Sequence, residues 1–270
     1  MKLNKTYVLF DSGDISRNQD WAQAHAAIAK AIGSMTWPNS ADAIGFRIPR
    51  ICTVRKGASY VGKKGKSIVV TDGDGKTLRN GVGPIRNQFR QRLSNEGWKA
   101  EHPLSLVDFF KTVREGDRLI PFKKYPLSEE EVRADLLNES VGDCDFWFKT
   151  DSGFRTVVEW ETGNISSSHR SLNKMCMVLM GGLADAGVLV VPSIKMYPHL
   201  TDRIGNIREL QPYFYFWRSV GTQVKSGLLA VIEVEQDELF ESTDQQDFIP
   251  LGSSGNSKAK RRRPRSSKKR

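Results

Sequence analysis

The chain has 270 residues, of which 39% are hydrophobic and 27% charged, and its formal net charge is +10. This length can bury one sizeable core or two modest ones, and no apolar run reaches the roughly 18 residues that suggest a membrane span, so we expect no membrane partner. Cys52, Cys144 and Cys176 lack C-x-x-C spacing. This excludes a zinc knuckle or a disulfide framework and suits a reducing cytoplasm.

Most of the net charge lies at one end of the chain. Residues 258–270 hold nine Lys or Arg and no acid, so the rest of the chain carries about +1 (10 − 9). We therefore predict a single domain over residues 1–250 and a disordered basic tail over 251–270. The tail can bind DNA electrostatically without reading its sequence, and a nuclear localisation signal is the alternative.

The first half of the chain predicts strands and helices in alternation. Strands are expected at residues 6–10, 46–54 and 67–70, and helices at 20–35, with Asp20 as cap, and at 84–95. The basic turn 56–66 is either a phosphate-contacting loop or a solvated hairpin end. The helix at 84–95 exposes Arg86, Arg90 and Arg92 as a face that either touches DNA or is simply solvated.

The segment 72–77, Asp-Gly-Asp-Gly-Lys-Thr, resembles two ligand-binding loops and fits neither. A P-loop requires glycine where Val70 stands, and an EF-hand requires glutamate where Gly83 stands. The segment therefore predicts a turn, and we expect no nucleotide cofactor.

The second half predicts a β-β-α-β unit. Helices at 106–113 and 128–138 precede a hairpin at 143–161, a helix from after Gly163 to 181–182, and apolar strands at 188–191 and 228–235. The aromatic block 213–217 is compatible with either helix or strand. The order of elements predicts an α/β fold with a mixed central sheet flanked by helices.

The hairpin carries the first functional signal. With Asp151-Ser152-Gly153 as its loop, Thr150 pairs with Phe154, which places Asp145 opposite Glu159. Directly opposed residues have Cβ atoms about 5 Å apart. The register depends on the loop length, because a one-residue shift would move Asp145 away from Glu159.

The same register places Asp143 opposite Glu161, and strand alternation puts all four acids on one face. Like charges destabilise a ladder, so a bound cation is the natural reason to tolerate them. Oxygen ligands without His or Cys favour Mg²⁺. The alternative is a solvated acidic edge.

An acid on a hairpin, then acid-x-acid on its second strand, then a helix is the layout of the PD-(D/E)xK nuclease core. Here Asp145 is the first acid and Glu159-Trp160-Glu161 the second element. The stretch 140–205 resembles the BamHI/BglII/BstYI group of type II restriction endonucleases, most closely its BamHI member, in having Glu-x-Glu where most relatives have Glu-x-Lys. The hairpin is shorter here, so Asp143 rivals Asp145 as first acid.

This resemblance implies an activity and a way of assembling. The expected protein is a Mg²⁺-dependent endonuclease that hydrolyses double-stranded DNA at a palindrome resembling GGATCC. Palindromic cutting implies a homodimer in which each subunit supplies one site. The expected setting is the cytoplasm, in a bacterial or phage context.

The resemblance also implies roles for individual residues. Asp145, Glu159, the Trp160 carbonyl and, as the alternative acid, Asp143 would hold the metal, and Glu161 would orient or deprotonate the attacking water. The offsets of the family's base-reading residues fall on Asn164, Ser166, Arg170, Asp202 and Arg203.

Structural alternatives accompany these roles. Asn164 could only cap the following helix, Arg170 could pair with an acid, and Asp202-Arg203 could begin a helix. Lys174 could supply the missing cation, although a solvated lysine is the simpler interpretation. A non-catalytic DNA-binding protein and a repair or recombination nuclease are the alternative functions.

Overall fold

The fold is given by a computed structural model that describes residues 1–38, 43–71, 73–105, 140–201 and 204–251. In chain order its strands are β1 (Lys2–Ser12), β2 (Arg47–Pro49), β3 (Cys52–Val54), β4 (Ser59–Val61), β5 (Ser67–Val69), β6 (Lys76–Leu78), β7 (Lys99–Ser105), β8 (Ser140–Lys149), β9 (Arg155–Trp160), β10 (Ala186–Pro192), β11 (Gly227–Glu235) and β12 (Glu238–Phe240). Its helices are α1 (Gln19–Gly33), α2 (Gly83–Ser94), α3 (Ile165–Met180), α4 (Ile207–Leu210) and α5 (Phe214–Val220). Short 3-10 turns lie at Ile15–Arg17, Tyr197–His199, Gln211–Tyr213 and Gly221–Gln223.

A six-stranded sheet forms the centre of the fold, in the order β1-β11-β10-β9-β8-β7. The strands β9, β10 and β11 are parallel, and the remaining pairs are antiparallel. This confirms the expected mixed sheet and the parallel final strand of the β-β-α-β unit. The ends of β9, β10 and β11 therefore meet at one edge, here named the carboxyl edge, and their starts form the amino edge.

Helices cover both faces of this sheet. On one face, α1 and α2 pack through buried side chains that include Ile28 and Phe89. On the other face, α3 and α5 pack through Leu172 and Trp217. Every residue of β10 and β11 is buried, because these central strands are covered on both sides.

A smaller lobe is attached at the carboxyl edge and consists of residues 47–71, 73–80 and 238–249. It contains three two-stranded ladders, β2 with β12, β3 with β6, and β4 with β5. Its own core is small and consists of Val54, Val70, Leu78 and Phe248.

Several predicted elements differ from the observed ones at their ends. The helix α1 is capped by Asn18, whose side chain accepts a bond from the Asp20 N–H at 2.7 Å, so the prediction of Asp20 as cap is wrong. The predicted strand 46–54 is two strands, because β2 pairs with β12 whereas β3 pairs with β6. The aromatic block forms α5 rather than a strand.

Some predicted segments lie outside the described residues. These are the helices at 106–113 and 128–138 and nearly all of the basic tail. Within the part of the chain that the structure describes, no helix has the length and apolar character needed to cross a membrane.

Candidate active site

The predicted register of the acidic hairpin is confirmed from its loop as far as the pair Phe146–Val158. The ladder between β8 and β9 pairs Lys149 with Arg155 and continues to Phe146 with Val158. At its closed end the Thr150 N–H donates to the Phe154 carbonyl at 2.9 Å. The next position along this register brings Asp145 alongside Glu159.

The ladder stops at this position because Asp145 intervenes. The Trp160 N–H donates to Asp145 Oδ2 at 2.9 Å instead of to the backbone of β8. The side-chain alternation of β8 also switches, since Cys144 and Phe146 belong to cores on opposite faces of the sheet. Across the ladder from Asp145, Glu101 of β7 has a positive φ of 53°, which is uncommon for a residue other than glycine.

This switch makes the prediction of four carboxylates on one face wrong. Asp143 is exposed and pairs with Pro103 of β7, whereas the Glu161 N–H pairs with the Val190 carbonyl of β10. Among the described residues, no group of three or more His, Cys, Asp or Glu side chains could hold a metal ion. The acids of the hairpin are therefore spread over different partners and do not converge on one face.

Asp145 is held by a residue of α2. The Arg86 guanidinium lies 2.5 Å from Asp145 Oδ1, and the Arg86 side chain is only 27% exposed. The prediction that Arg86 is exposed on the helix surface is therefore wrong. The helix begins at Gly83 with Pro84 in its first turn, where a proline needs no backbone N–H.

Glu159 is held by a residue of α3 on the other face. The Lys174 Nζ lies 2.5 Å from Glu159 Oε1 and donates to the Asp143 carbonyl at 2.7 Å. The two side chains are 13% and 10% exposed, so the simpler interpretation of Lys174 as a solvated lysine is wrong. Burial raises the pKa of Glu159 above its ordinary value; Lys174 opposes this shift and Asp145 adds to it.

Glu161 is buried against the start of α3. It accepts hydrogen bonds from the Gly163 N–H at 2.6 Å, from the Ser167 hydroxyl at 3.0 Å and from the Ser168 hydroxyl. Burial raises its pKa, and the bonds from Ser168 and Gly163 oppose that shift. These donors fix the direction of the carboxylate.

The predicted base-reading residues of α3 lie beside this carboxylate. The Asn164 side chain caps the helix by accepting bonds from the Ser166 N–H at 3.0 Å and the Ser167 N–H at 3.3 Å. Asn164, Ser166 and Arg170 are all exposed. Arg170 forms no ion pair with any described residue, so the alternative of a structural pair finds no support there.

Asp202 and Arg203 lie outside the described residues. The chain just beyond them is nevertheless fixed, because the Gly205 N–H donates to the Gly163 carbonyl at 2.9 Å. Gly205 also packs so closely on Ser168 that a Cβ there would collide with the Ser168 hydroxyl. This contact brings the segment after Asp202-Arg203 to the start of α3.

The donor set at Asp145 and Glu159 fits a hard divalent cation. In proteins Mg²⁺ is commonly bound through one or two carboxylates, with water and substrate phosphates completing its coordination. Asp145 accepts the bond from the N–H of Trp160, the residue after Glu159, and its charge adds to the rise in the pKa of Glu159. A cation between the two carboxylates would oppose this effect.

The raised pKa values predict how stability depends on pH without metal. Because Glu159 and Glu161 have higher pKa values in the folded protein than the ordinary 4.5, the folded state binds more protons than the unfolded chain above that pH. The free energy of unfolding should therefore fall as pH rises above 4.5. Urea denaturation in EDTA between pH 5 and 8 measures this, and Glu159→Gln with Glu161→Gln should flatten the slope. If the wild-type protein became more stable between pH 5 and 8 and the double variant lost this rise, the prediction would be contradicted.

Comparison of the chain with known proteins identifies its family. The family model described as "Restriction endonuclease BamHI" matches residues 1–256. The type II restriction enzyme OkrAI of Oceanobacter kriegii is 38% identical over 177 residues, covering 65% of this chain and 73% of that protein. The type II restriction enzyme BamHI of Bacillus amyloliquefaciens is 31% identical over 136 residues, covering 50% and 53%.

A crystal structure of restriction endonuclease BglII complexed with a DNA 16-mer aligns with a TM-score of 0.45 at 12% identity, covering 86% of this chain and 79% of that chain. The family model extends well beyond the stretch 140–205 that carried the resemblance, into the N-terminal third. The expected membership is thereby confirmed: the chain belongs to the BamHI family of type II restriction endonucleases.

Proposed function

We propose that this protein is a Mg²⁺-dependent endonuclease that hydrolyses both strands of DNA at a specific palindromic site as a homodimer. The observation that carries the proposal is the placement of Asp145, Glu159 and Glu161 at the carboxyl edge, directly beside the exposed Asn164 at the start of α3. Hydrolysing residues and candidate base-reading residues thus share one end of the molecule.

Asp145, Glu159 and the Trp160 carbonyl are the proposed metal ligands, and Asp143 is the alternative first acid. A bound Mg²⁺ stabilises charge that develops on the phosphate and lowers the pKa of water. Asp143 is the weaker candidate because its side chain is exposed and lies beyond the point where β8 leaves β9.

Glu161 is the proposed general base. Its carboxylate is aimed by Gly163, Ser167 and Ser168, which leaves it little rotational freedom. A base works best when its pKa is near the operating pH, and burial shifts the pKa of Glu161 in that direction. Glu161 would accept the proton of the attacking water at a carboxylate oxygen.

Arg86 and Lys174 are proposed to position the acids. Each contributes a cation from a helix on a different face of the sheet and holds one carboxylate, Asp145 and Glu159 respectively. Lys174 is also proposed to supply the cation that a lysine provides in the Glu-x-Lys pattern, where this chain has Glu161.

Base reading is proposed for Asn164, Ser166, Arg170, Asp202 and Arg203. Arginine can contact both O6 and N7 of guanine in the major groove, and asparagine can contact N6 and N7 of adenine. A palindrome flanked by G·C pairs and related to GGATCC is the proposed target. A cytoplasmic location is part of the proposal and agrees with three free cysteines.

The test is digestion of unmethylated phage DNA by the purified protein with Mg²⁺, alongside an EDTA control. Discrete bands that require the metal would support the proposal and allow the site to be mapped. A smear would replace it with a nuclease that does not read sequence, and intact DNA that shifts on a gel would replace it with a non-catalytic DNA-binding protein.

Asn164→Ser separates the two roles of this asparagine. Serine is also a good helix cap, so the free energy of unfolding should change by less than about 1 kcal/mol. The amide that would contact adenine is lost, and specific cleavage should fall by about tenfold or more, since a bidentate base contact is worth about 1–3 kcal/mol. Denaturation and cleavage of the mapped site measure the two effects, and unchanged cleavage would leave Asn164 as a cap alone.

A further inference from the structure

A hairpin of the small lobe projects from the body of the protein. The basic hairpin, defined as residues 55–70, contains β4 and β5, and its ladder is continued by the bond from the Val70 N–H to the Ala58 carbonyl at 2.9 Å. All three residues of β5 are exposed, so neither face of that strand is covered. Val70 and the half-buried Tyr60 anchor the hairpin in the small core of the lobe, but burial does not account for its outer strand β5.

The charge of the basic hairpin is of one sign. It carries Arg55, Lys56, Lys63, Lys64 and Lys66 and no acid, and all five are exposed. Within the described part of the chain, none of the five forms an ion pair. Some other surface cations are paired with acids, as in Lys30 with Glu96 and Arg90 with Glu101. What distinguishes the hairpin is that five exposed cations lie together within 16 residues that contain no acid.

The basic hairpin stands at the same edge of the sheet as the candidate active site. Its strand β4 is joined to the segment after β12, because the Val61 N–H donates to the Thr243 carbonyl at 3.2 Å and the Gln245 N–H to the Val61 carbonyl at 2.8 Å. That segment leaves the carboxyl end of β11, which is parallel to β9.

A second attachment leads to the proposed base-reading segment. Asn80, at the end of the lobe, is fully buried, and its Nδ2 donates to the His199 carbonyl at 2.9 Å. The Ile51 N–H donates to His199 Nδ1 at 3.2 Å. Asp202 follows His199 by three residues, which limits their separation to about 10 Å along the chain.

We propose that the basic hairpin is an arm that binds the phosphate backbone of DNA beside the cleavage site, without reading base sequence. The proposal rests on the proposed function, since it assumes that DNA lies across the carboxyl edge. A two-stranded ribbon fits the dimensions of a DNA groove, and unpaired lysines on its exposed turn can neutralise phosphates along it. Binding to the negatively charged DNA backbone would explain why the hairpin carries only positive charge and why its strand β5 is left exposed.

The test compares two triple variants of the full chain. The first is Lys63→Ser, Lys64→Ser and Lys66→Ser in the basic hairpin. The matched control is Arg17→Ser, Lys149→Ser and Lys225→Ser, which removes three exposed cations from the amino edge. Affinity for a 30-base-pair duplex of arbitrary sequence is measured by fluorescence anisotropy in EDTA between 50 and 200 mM salt.

The hairpin variant should bind about tenfold or more weakly, and its plot of log affinity against log salt should lose about one unit of slope per lysine that contacts a phosphate. The control should keep most of the wild-type slope. An equal loss of DNA affinity in both variants, or no loss in either, would overturn the proposal. A hairpin variant that changes its oligomeric state but keeps the wild-type salt slope would also overturn it and would point to a protein partner.

Cleavage of phage DNA by the wild-type protein separates this inference from the proposed function. If the wild-type protein does not cut, the proposed function fails whatever the hairpin does. If it cuts and the hairpin variant keeps the wild-type salt slope, only the arm is wrong.

Discussion

Glu161→Gln is expected to slow DNA cleavage by about a hundred- to ten-thousand-fold, the usual contribution of a general base. Glutamine has nearly the shape of glutamate. Its amide oxygen can accept the bonds from the Gly163 N–H and the Ser167 hydroxyl while its amide N–H donates to the Ser168 hydroxyl, so the pocket should remain folded. It cannot take a proton from water. Single-turnover cleavage of the mapped site measures the loss.

DNA affinity in Ca²⁺ should be unchanged in this variant, because the buried Glu161 is not among the proposed base-reading residues. The matched control is Glu233→Gln, which replaces a carboxylate of strand β11 that is buried to a similar degree and accepts a bond from the Tyr7 hydroxyl at 3.0 Å. Wild-type cleavage by Glu161→Gln, or equal losses in both variants, would show that Glu161 is not the base.

Lys174→Met is expected to lower the free energy of unfolding at pH 8 by about 3–5 kcal/mol in EDTA, because it leaves Glu159 buried without its cation. The pKa of Glu159 is already raised by burial, and removal of Lys174 removes an effect that opposes the rise. The loss should therefore be smaller at pH 5, where the carboxyl can take up a proton. Urea denaturation at the two pH values measures the difference.

The double variant Lys174→Met with Glu159→Gln tests whether the stability is lost because the Glu159 carboxylate has no partner. Since both charges are then absent, most of the lost stability should return. Lys225→Met, an exposed lysine at the amino edge, should change stability by less than about 0.5 kcal/mol. If the double variant is as unstable as Lys174→Met, the loss arises from packing and not from the unpaired carboxylate.

The sequence predicted the architecture well because its signals were local. The hydrophobic pattern of 188–191 and the turn at Asp151-Ser152-Gly153 specify a buried parallel strand and a hairpin register, and both are found. The Glu-x-Glu pair and the spacing of the residues that follow it indicated the family. These features depend on neighbouring residues and on strand alternation.

The contacts of the site were less predictable because they join residues distant along the chain. Arg86 and Asp145 are 59 positions apart, and no sequence period connects them. The switch of faces at Asp145 could not be read from alternation, because it is a local departure from alternation, opposite a residue of β7 with positive φ. For Lys174 a signal did exist, since it lies one helical turn beyond Arg170, but its burial depends on how α3 packs on the sheet.

The switch of faces at Asp145 has a consequence for how the active site is assembled. It allows one acid to be tied to a helix on one side of the sheet while Glu159 is tied to a helix on the other. The proposed cleavage centre would therefore be complete only when the helices on both faces are packed on the sheet, and we expect a partly folded chain that has lost either layer to be inactive. Loss of cleavage on heating should accordingly accompany the loosening of whichever layer opens first, ahead of the melting of the central strands.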